Sequence, residues 1–421
     1  MAQKKLGTFH LQILLWFTYC LCYCIRKPLS IYKFYIESEL HLSKYQLGLI
    51  DLALLLPYAG LQILGANWWD RMKVENLIPF CLTSAALSLM LLSLTSHFGI
   101  FCLLVAVSGA AQAPLWPACI KVLNNSIASD KSLASAIGVL GSAPFAGATL
   151  SSYFVSFISD RLGWRHSTIW IFLACFLLSF ICKIVLAKNR REIKTGQKEE
   201  DYLLHDDYSL VQLLKIPGVM KVLLSVTFLK FTRYVLYMWL PLLLSQWYGF
   251  SMLQAGLISS WFYVGAALGG PGLGYLLSYH KSSITLVIAI GGAICFLLLA
   301  LGNLIYSVKS LAAGVFLFII GFCNCGPDSI ICGVITFQLG NANGRDCGVK
   351  VTSIVNGIAS IGGIIEGPLV SYLLHFDSCG WELVILVISF ASTLSAMSFR
   401  SAQPTIDQVG SRHKEKHSSV V

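Results

Sequence analysis

Twelve long apolar runs separated by short polar connections are the feature of this 421-residue chain that most limits its fold. Each run has about the 20 residues that an α-helix needs to cross the hydrocarbon core of a bilayer. Only 12% of the residues are charged, whereas soluble domains carry about 25%. The sequence therefore predicts an all-α polytopic membrane protein. We expect spans at 9–31, 46–67, 76–96, 99–123, 134–158, 168–187, 218–245, 253–278, 283–306, 309–338, 349–375 and 380–399.

The longest charged stretch in the interior, 188–217, separates the first six runs from the last six. Short sequence pairs recur in the same order in both halves, such as Gly163-Trp164 and Gly380-Trp381 before the last run of each half. This order predicts two pseudo-symmetric six-helix bundles, an arrangement in which carriers bind substrate at the repeat interface near mid-membrane. We predict an N-terminal bundle at 1–187, a cytosolic linker at 188–217, a C-terminal bundle at 218–400 and a cytosolic disordered tail at 401–421.

The basic residues of the connections predict the orientation of the chain. They concentrate on one side, which the positive-inside rule assigns to the cytosol, so both termini are expected there. The same rule explains the net charge of +10, and a nucleic-acid partner is not expected. The residues on which this orientation depends are Lys4, Lys5, Arg71, Lys73, Lys131, Lys281, Arg345, Lys350, Arg412, Lys414 and Lys416.

Charged residues within apolar runs are costly and usually functional, and five of those in this chain are the most informative. They are Arg26, Lys27, Lys230, Arg233 and Asp328. Arg26 and Arg233 lie at similar depths in the first and seventh runs. Two opposed guanidiniums repel in a low dielectric unless an anion joins them, and the planar fork of arginine fits phosphate. The alternative is that each arginine snorkels or pairs with a buried carboxylate, and Asp328, the obvious mid-span candidate, can serve only one.

Aromatic and amide side chains accompany the two arginines. Tyr19 and Tyr23 share a helix face with Arg26, and Tyr237 follows Arg233 by one turn. Phenolic hydroxyls can donate to phosphate, although aromatic packing explains the same spacing. The fourth run carries a similar pair, Gln112 and Trp116.

Enzymatic chemistry is not expected from this sequence. We find no nucleophile–base constellation, no phosphate loop and no spacing of metal ligands. The sequence thus predicts no catalytic residue, no metal and no cofactor.

Four segments resemble a known family, the organophosphate–phosphate antiporters of the major facilitator superfamily, and especially the eukaryotic sugar-phosphate exchangers. The segments are YCLCYCIRKPLSI at 19–31, GAAQAPLWPACIKV at 109–122, RYVLYMWLP at 233–241 and NCGP at 324–327. The resemblance implies that Arg26 and Arg233 grip phosphate. It also implies that Tyr19, Tyr23, Lys27, Gln112 and Trp116 line the pocket.

Two positions depart from the family pattern. Gln62 stands where relatives have a lysine, and Ala143 stands where the bacterial glycerol-phosphate exchanger has a pocket histidine. These departures bear on the exact substrate and on the efficiency of exchange, while the two arginines are kept.

We therefore expect a secondary active transporter that exchanges a phosphorylated sugar or glycerol phosphate for inorganic phosphate by alternating access. The alternatives are a carrier for another organic anion, proton-coupled through Asp328, and a non-transporting receptor-like relative. Membrane lipid is the other expected partner, the chain is expected to act as a monomer, and the resemblance favours the endoplasmic reticulum over the plasma membrane. The expected substrate-binding residues are Arg26, Arg233, Tyr19, Tyr23, Lys27, Gln112, Trp116, Lys230 and Tyr237.

Overall fold

A computed structural model describes residues 8–64, 72–127, 136–189, 209–277, 283–299, 306–342, 347–376 and 379–418, and these are almost entirely helical. The chain divides into two compact units. Unit 1 comprises residues 1–205 and 251–260, and unit 2 comprises residues 206–250 and 261–421. Several residues on which the orientation depends, among them Lys4, Arg71 and Lys131, lie outside the described residues, as do 190–208 of the linker.

The helices follow the predicted order of the apolar runs. In the first half they are α1 Thr8–Arg26, α2 Pro28–Glu39, α3 Lys44–Leu64, α4 Val74–Leu92, α5 Phe98–Gln112, α6 Leu115–Ser126, α7 Ala143–Leu162 and α8 Trp164–Lys188. In the second half they are α9 Leu210–Leu214, α10 Val219–Gln246, α11 Met252–Leu277, α12 Ser283–Leu297, α13 Tyr306–Ile330, α14 Thr336–Gly340, α15 Gly348–Ala359, α16 Ile361–Leu373 and α17 Gly380–Ser418.

Within the described residues, eight segments are long and apolar enough to cross a membrane. A shorter apolar helix lies at Ile284–Leu297. Three other predicted runs form α3, α7 and α10, of 21, 20 and 28 residues. The prediction of an all-helical, multi-pass membrane protein is confirmed. The eight spans are Phe9–Glu39, Val74–Leu92, Phe98–Leu123, Trp164–Lys188, Met252–Leu273, Lys309–Ile330, Lys350–Leu373 and Gly380–Gln408.

Several predicted continuous spans are interrupted. Pro28 and Pro114 lack a backbone N–H, so α1 gives way to α2 at Lys27 and α5 gives way to α6 at 113–114. The eleventh run is interrupted at Ser360 without a proline. A π-helical turn, Ile331–Ile335, joins α13 to α14. Such turns occur frequently at functional sites.

The core of unit 1 combines leucines with buried thiols, including Leu15, Cys119 and Cys182. Glycines let its helices approach closely. A Cβ on Gly147 of α7 would lie 2.1 Å from the carbonyl oxygen of Cys20 in α1. Helices within membranes commonly pack through small residues at such crossings, because apolar surface alone gives little driving force for their association.

The core of unit 2 extends into the segment predicted to be a disordered tail. Helix α17 continues to Ser418, and Ala402 and Ile406 are buried in the same apolar cluster as Phe399. The segment 401–408 therefore continues the buried helix face of α17, where the sequence predicted a disordered tail, because its apolar side chains keep the spacing of that face. Short helix α9 also joins this cluster through Leu213, and Ser209 caps it with Gln212.

Candidate functional site

Arg26 is the last residue of α1, and its side chain is almost fully buried, with 1% exposed. Its Nε donates a hydrogen bond of 3.0 Å to Oε1 of Gln112, which ends α5. The amide of Gln112 in turn donates 3.2 Å to the hydroxyl of Ser108. The break at Pro28 leaves Arg26 at a helix end, and the break at Pro114 does the same for Gln112.

Two aromatic rings cover the guanidinium of Arg26. Its Cζ lies 4.9 Å from the ring centre of Tyr23 and 4.3 Å from that of Tyr58 in α3. Both distances are within the range of a cation–π interaction. Tyr58 was not predicted, and its hydroxyl accepts a 2.9 Å hydrogen bond from Gln62.

The other predicted aromatic residues of unit 1 form one continuous group. The ring of Tyr19 lies 5.6 Å from that of Tyr23 and 4.9 Å from that of Trp116. Trp116 belongs to α6 and Gln112 to α5, yet both contact residues of α1. The structure therefore brings together Arg26, Tyr19, Tyr23, Gln112 and Trp116. Ala143 is buried in the apolar core of unit 1.

Lys27 is fully buried and donates 3.0 Å to the hydroxyl of Ser30 in α2. Two turns further along the chain, Lys33 forms a buried ion pair with Asp51 of α3. Sequence reasoning missed this pair because the first run was ended at residue 31. The presence of Asp51 in an otherwise apolar run was the available signal.

In unit 2, Arg233 of α10 forms an ion pair with Asp328 of α13. The side chain of Arg233 keeps 22% of its surface exposed, against 9% for that of Asp328. The other oxygen of Asp328 accepts a 3.6 Å contact from the thiol of Cys332, which lies in the π-helical turn. The sequence had left open whether an arginine pairs with Asp328, and the structure pairs Arg233 with it.

Lys230 and Tyr237 contact other residues of unit 2. The ammonium of Lys230 donates to the carbonyl and side-chain oxygens of Asn356, at 2.7 and 2.6 Å, and lies 3.3 Å from the hydroxyl of Ser360. The ring of Tyr237 packs against that of Tyr263, 5.6 Å away. Asn356 and Ser360 were not predicted, since nothing in their spacing relates them to Lys230.

Asp328 is not the only buried carboxyl group of the spans. Asp51 and Glu366 have 1% and 0% of their surface exposed. Glu366 of α16 accepts a 2.9 Å hydrogen bond from the indole of Trp239 in α10. Asp51 and Glu366 are therefore two further buried carboxyl groups that the sequence analysis did not single out.

The site chemistry of the two units is related but unequal. Each unit holds a buried or half-buried arginine beside tyrosine rings, on a helix that crosses the apolar part of the unit. The neighbour of Arg26 is a neutral amide, whereas that of Arg233 is a carboxylate. Guanidinium groups with amide and phenol neighbours are suited to binding an oxyanion.

Together, the helical units and these intramembrane cations define a multi-pass membrane carrier. The sequence profile of the Major Facilitator Superfamily matches residues 15–343, and the chain belongs to that family. Among its relatives are sugar phosphate exchanger 3 of Homo sapiens, 27% identical over 80% of this chain and 76% of the exchanger, and the putative glycerol-3-phosphate transporter 5 of Arabidopsis thaliana, 25% identical over 82% of this chain and 77% of the transporter. The predicted resemblance to organophosphate antiporters is confirmed, as is the prediction of a carrier rather than an enzyme.

Solved structures show the same fold. A mutant of the nucleoside transporter NupG superposes with a TM-score of 0.71 at 16% identity, covering 93% of this chain and 99% of that one. A bacterial homolog of the human lysosomal transporter Spinster, inward-facing and occupied, gives a TM-score of 0.64 at 15% identity, covering 97% of this chain and 98% of the homolog. At these identities the likeness concerns the fold alone.

Proposed function

We propose that this protein exchanges a phosphorylated sugar or glycerol phosphate for inorganic phosphate by alternating access. The observation that carries the proposal is the pair of intramembrane arginines, Arg26 and Arg233, each set among hydrogen-bonding and aromatic side chains. The names of the relatives, which specify sugar phosphate and glycerol-3-phosphate, supply the substrate class.

Arg26 and Arg233 both bind the phosphoryl group in this proposal. Charge-assisted hydrogen bonds contribute about 1.5–3 kcal/mol each. Two such bonds from one guanidinium amount to roughly 3–6 kcal/mol, or a hundredfold or more in affinity. Tyr19, Tyr23, Gln112 and Trp116 shape the surroundings of Arg26, while Lys27, Lys230 and Tyr237 set the local potential and packing.

Asp328 competes with the substrate for Arg233. An entering phosphate can displace the carboxylate, so the ion pair satisfies Arg233 while no anion is bound. The same pair favours a second candidate function, a proton-coupled carrier for another organic anion, in which protonation of Asp328 releases Arg233.

The test is radiolabelled phosphate exchange in phosphate-loaded proteoliposomes, with Arg26→Lys and Arg233→Lys at matched protein levels. Lysine keeps the charge but loses the planar fork, so exchange should fall at least tenfold in both variants. Arg161→Lys and Arg400→Lys change exposed arginines, one in each unit, and should exchange like wild type.

The two-arginine site would be overturned if wild type exchanges phosphate and both lysine variants keep full activity. Wild type that exchanges no phosphate but takes up another organic anion would favour the second candidate. A panel of phosphorylated three- to six-carbon metabolites, offered to the same liposomes, identifies the counter-substrate.

We further propose that both termini and the 188–217 linker face the cytosol, that the protein lies in the endoplasmic reticulum membrane, and that a monomer suffices for transport. A single cysteine introduced near Lys194 in a thiol-free background should be labelled by an impermeant reagent only from the cytosolic side. Labelling from the lumen alone would reverse the orientation.

A further inference from the structure

Asn356 of α15 carries an exposed amide inside the candidate span Lys350–Leu373. The ammonium of Lys230 donates to its Oδ1 at 2.6 Å and to its backbone carbonyl oxygen at 2.7 Å. An ammonium group can only donate, whereas an amide side chain has one acceptor oxygen and one NH2 group with two donors. Lys230 therefore holds the oxygen of this amide, and Nδ2 is left to donate elsewhere. Within the described part of the chain, no residue accepts a hydrogen bond from it.

The break between α15 and α16 makes the backbone oxygen of Asn356 available to Lys230. In a continuous α-helix, the N–H of Ser360 would donate to that oxygen. Here this N–H donates to the carbonyl of Gly357 instead, at 3.1 Å. The hydroxyl of Ser360 and the ammonium of Lys230 both donate to the carbonyl of Asn356, at 2.9 and 2.7 Å. The position of Asn356 is thus fixed by its backbone as well as by its side chain.

The accessible side chains of α15 and α16 divide into a polar and an apolar stripe. Ser353, Asn356 and Ser360 follow each other at i, i+3 and i+7, which is one helix face. Ile361 and Ile365, with 46% and 48% of their surface exposed, lie on another face. Polar groups within spans face the bundle interior or a water-filled cavity, because lipid offers them no hydrogen bonds. We therefore expect the amide of Asn356 to face water or a ligand.

Asn356 lies close to the arginine site of unit 2. Its partner Lys230 precedes Arg233 by three residues on α10, and residues at this spacing are neighbours on one side of a helix. The next helix, α16, meets α10 at the same level. A Cβ on Gly363 would lie 2.8 Å from the ring of Tyr234, the residue after Arg233. Asn356 is therefore held about one helical turn from Arg233 along α10.

We propose that Nδ2 of Asn356 binds a hydroxyl oxygen on the organic part of a phosphate ester whose phosphoryl group is bound by Arg233. The inference rests on the proposed function, in which Arg233 binds that group. A guanidinium fits the oxygens of a phosphoryl group, whereas an amide N–H fits a neutral hydroxyl oxygen. The site thus takes a hydroxylated phosphate ester. Inorganic phosphate has no organic part, so Asn356 distinguishes the two exchanged anions.

The experiment compares two phosphate esters with the same three-carbon chain. Glycerol 3-phosphate carries hydroxyl groups, and n-propyl phosphate carries none. Each is used to inhibit the uptake of labelled phosphate into phosphate-loaded proteoliposomes, and the ratio of their half-inhibitory concentrations is measured. Wild type should prefer the hydroxylated ester. Asn356→Ala should reduce this preference about three- to tenfold, which is the range expected for one neutral hydrogen bond.

The ratio isolates the hydroxyl group from the phosphoryl group. Both esters carry the same phosphoryl group, so an effect that reaches it through Lys230 weakens both alike. Asn356→Asp keeps an oxygen for Lys230 but has no N–H to donate, and it should lose the preference as Asn356→Ala does. This second variant decides the question if Asn356→Ala does not fold.

Asn76→Ala is the matched control. Asn76 is also exposed, and its Oδ1 also accepts from a lysine, Lys183, in unit 1. Its ratio should equal that of wild type. An unchanged ratio in the Asn356 variants overturns the proposal. Equal weakening of both esters also overturns it, because Asn356 would then act on the phosphoryl group or on Lys230.

The shift that each ester causes in the thermal unfolding midpoint of purified protein measures binding without transport. Wild type that exchanges phosphate but is stabilised equally by both esters rejects the hydroxyl site alone. Wild type that is stabilised more by glycerol 3-phosphate, loses this difference in Asn356→Ala and exchanges no phosphate rejects the proposed exchange alone. Wild type that neither binds the esters nor exchanges phosphate rejects both.

Discussion

The guanidinium of Arg233 is bonded to the carboxylate of Asp328, and both side chains belong to helices of the same compact unit. Asp328 precedes a π-helical turn whose Cys332 also contacts the carboxylate. An anion that takes Asp328's place on Arg233 therefore acts at the end of α13, next to a segment that departs from regular α-helical bonding. This relationship makes Asp328 a competitor of the substrate.

Replacing Asp328 by asparagine should raise the apparent affinity for phosphate. The amide keeps the shape but removes the negative charge that competes for Arg233. Because the guanidinium is partly exposed, the pair is worth about 1 kcal/mol, which corresponds to roughly fivefold in affinity. The measurement is the phosphate concentration that half-saturates exchange, with exposed Asp407→Asn as control. A weaker affinity in Asp328→Asn would show that the carboxylate supports binding.

Replacing Gln112 by glutamate should weaken phosphate binding at the other arginine. The new carboxylate would lie where the amide oxygen is now, 3.0 Å from Nε of Arg26, and would compete for it as Asp328 competes for Arg233. Since Arg26 is almost fully buried, we expect a loss of about tenfold or more, from a charge-assisted bond of roughly 1.5–3 kcal/mol.

The matched control for Gln112→Glu is Gln46→Glu. Gln46 is partly exposed, and its side-chain oxygen accepts from the backbone N–H of Ser43, a role that a carboxylate can also serve. Half-saturating phosphate concentrations are compared at equal protein levels. Equal values for wild type and Gln112→Glu would exclude Arg26 from the phosphate site.

Replacing Lys33 by methionine should destabilise unit 1, because the carboxylate of Asp51 would lose its ammonium partner in a buried site. Removing one member of a buried ion pair costs about 3–5 kcal/mol. The double variant Lys33→Met/Asp51→Leu should recover most of this loss, since a well-packed apolar pair often replaces a buried ion pair without cost. The check is the midpoint of thermal unfolding in detergent. Midpoints that fall equally in the single and double variants would contradict the role of the pair.

Replacing Gly147 by alanine should force α1 and α7 apart. The new methyl group would lie 2.1 Å from a backbone oxygen of Cys20, which cannot move without its helix. Overpacking of this kind costs about 1–3 kcal/mol. Gly60→Ala is the control, because no atom outside its own helical turn lies within 4 Å of its Cβ position. The yield of folded, monodisperse protein should fall for Gly147→Ala only.

Local features of the sequence were sufficient to predict the helical elements and the residues that share one face of the site. The length and apolar content of the runs predicted spanning helices, because a bilayer requires every backbone polar group to be bonded within the segment. Helical spacing placed Tyr19, Tyr23 and Arg26 on one face, and the structure has these side chains in contact. The helix breaks next to Pro28 and at the end of α5 could not be predicted from their prolines, because proline is often tolerated within membrane helices.

The sequence by itself determined that this chain spans a membrane with few charges, and that Arg26, Lys230 and Arg233 lie inside its apolar runs. Only the tertiary structure decided the partners of those cations. Gln112 meets Arg26, Asp328 meets Arg233, and Asn356 meets Lys230 from helices far away in the chain. It also decided that 401–408 continue a buried helix face and that Glu366 lies against Trp239. Periodicity reports which side of a helix is apolar, whereas the neighbour of a buried polar group depends on which helices pack together.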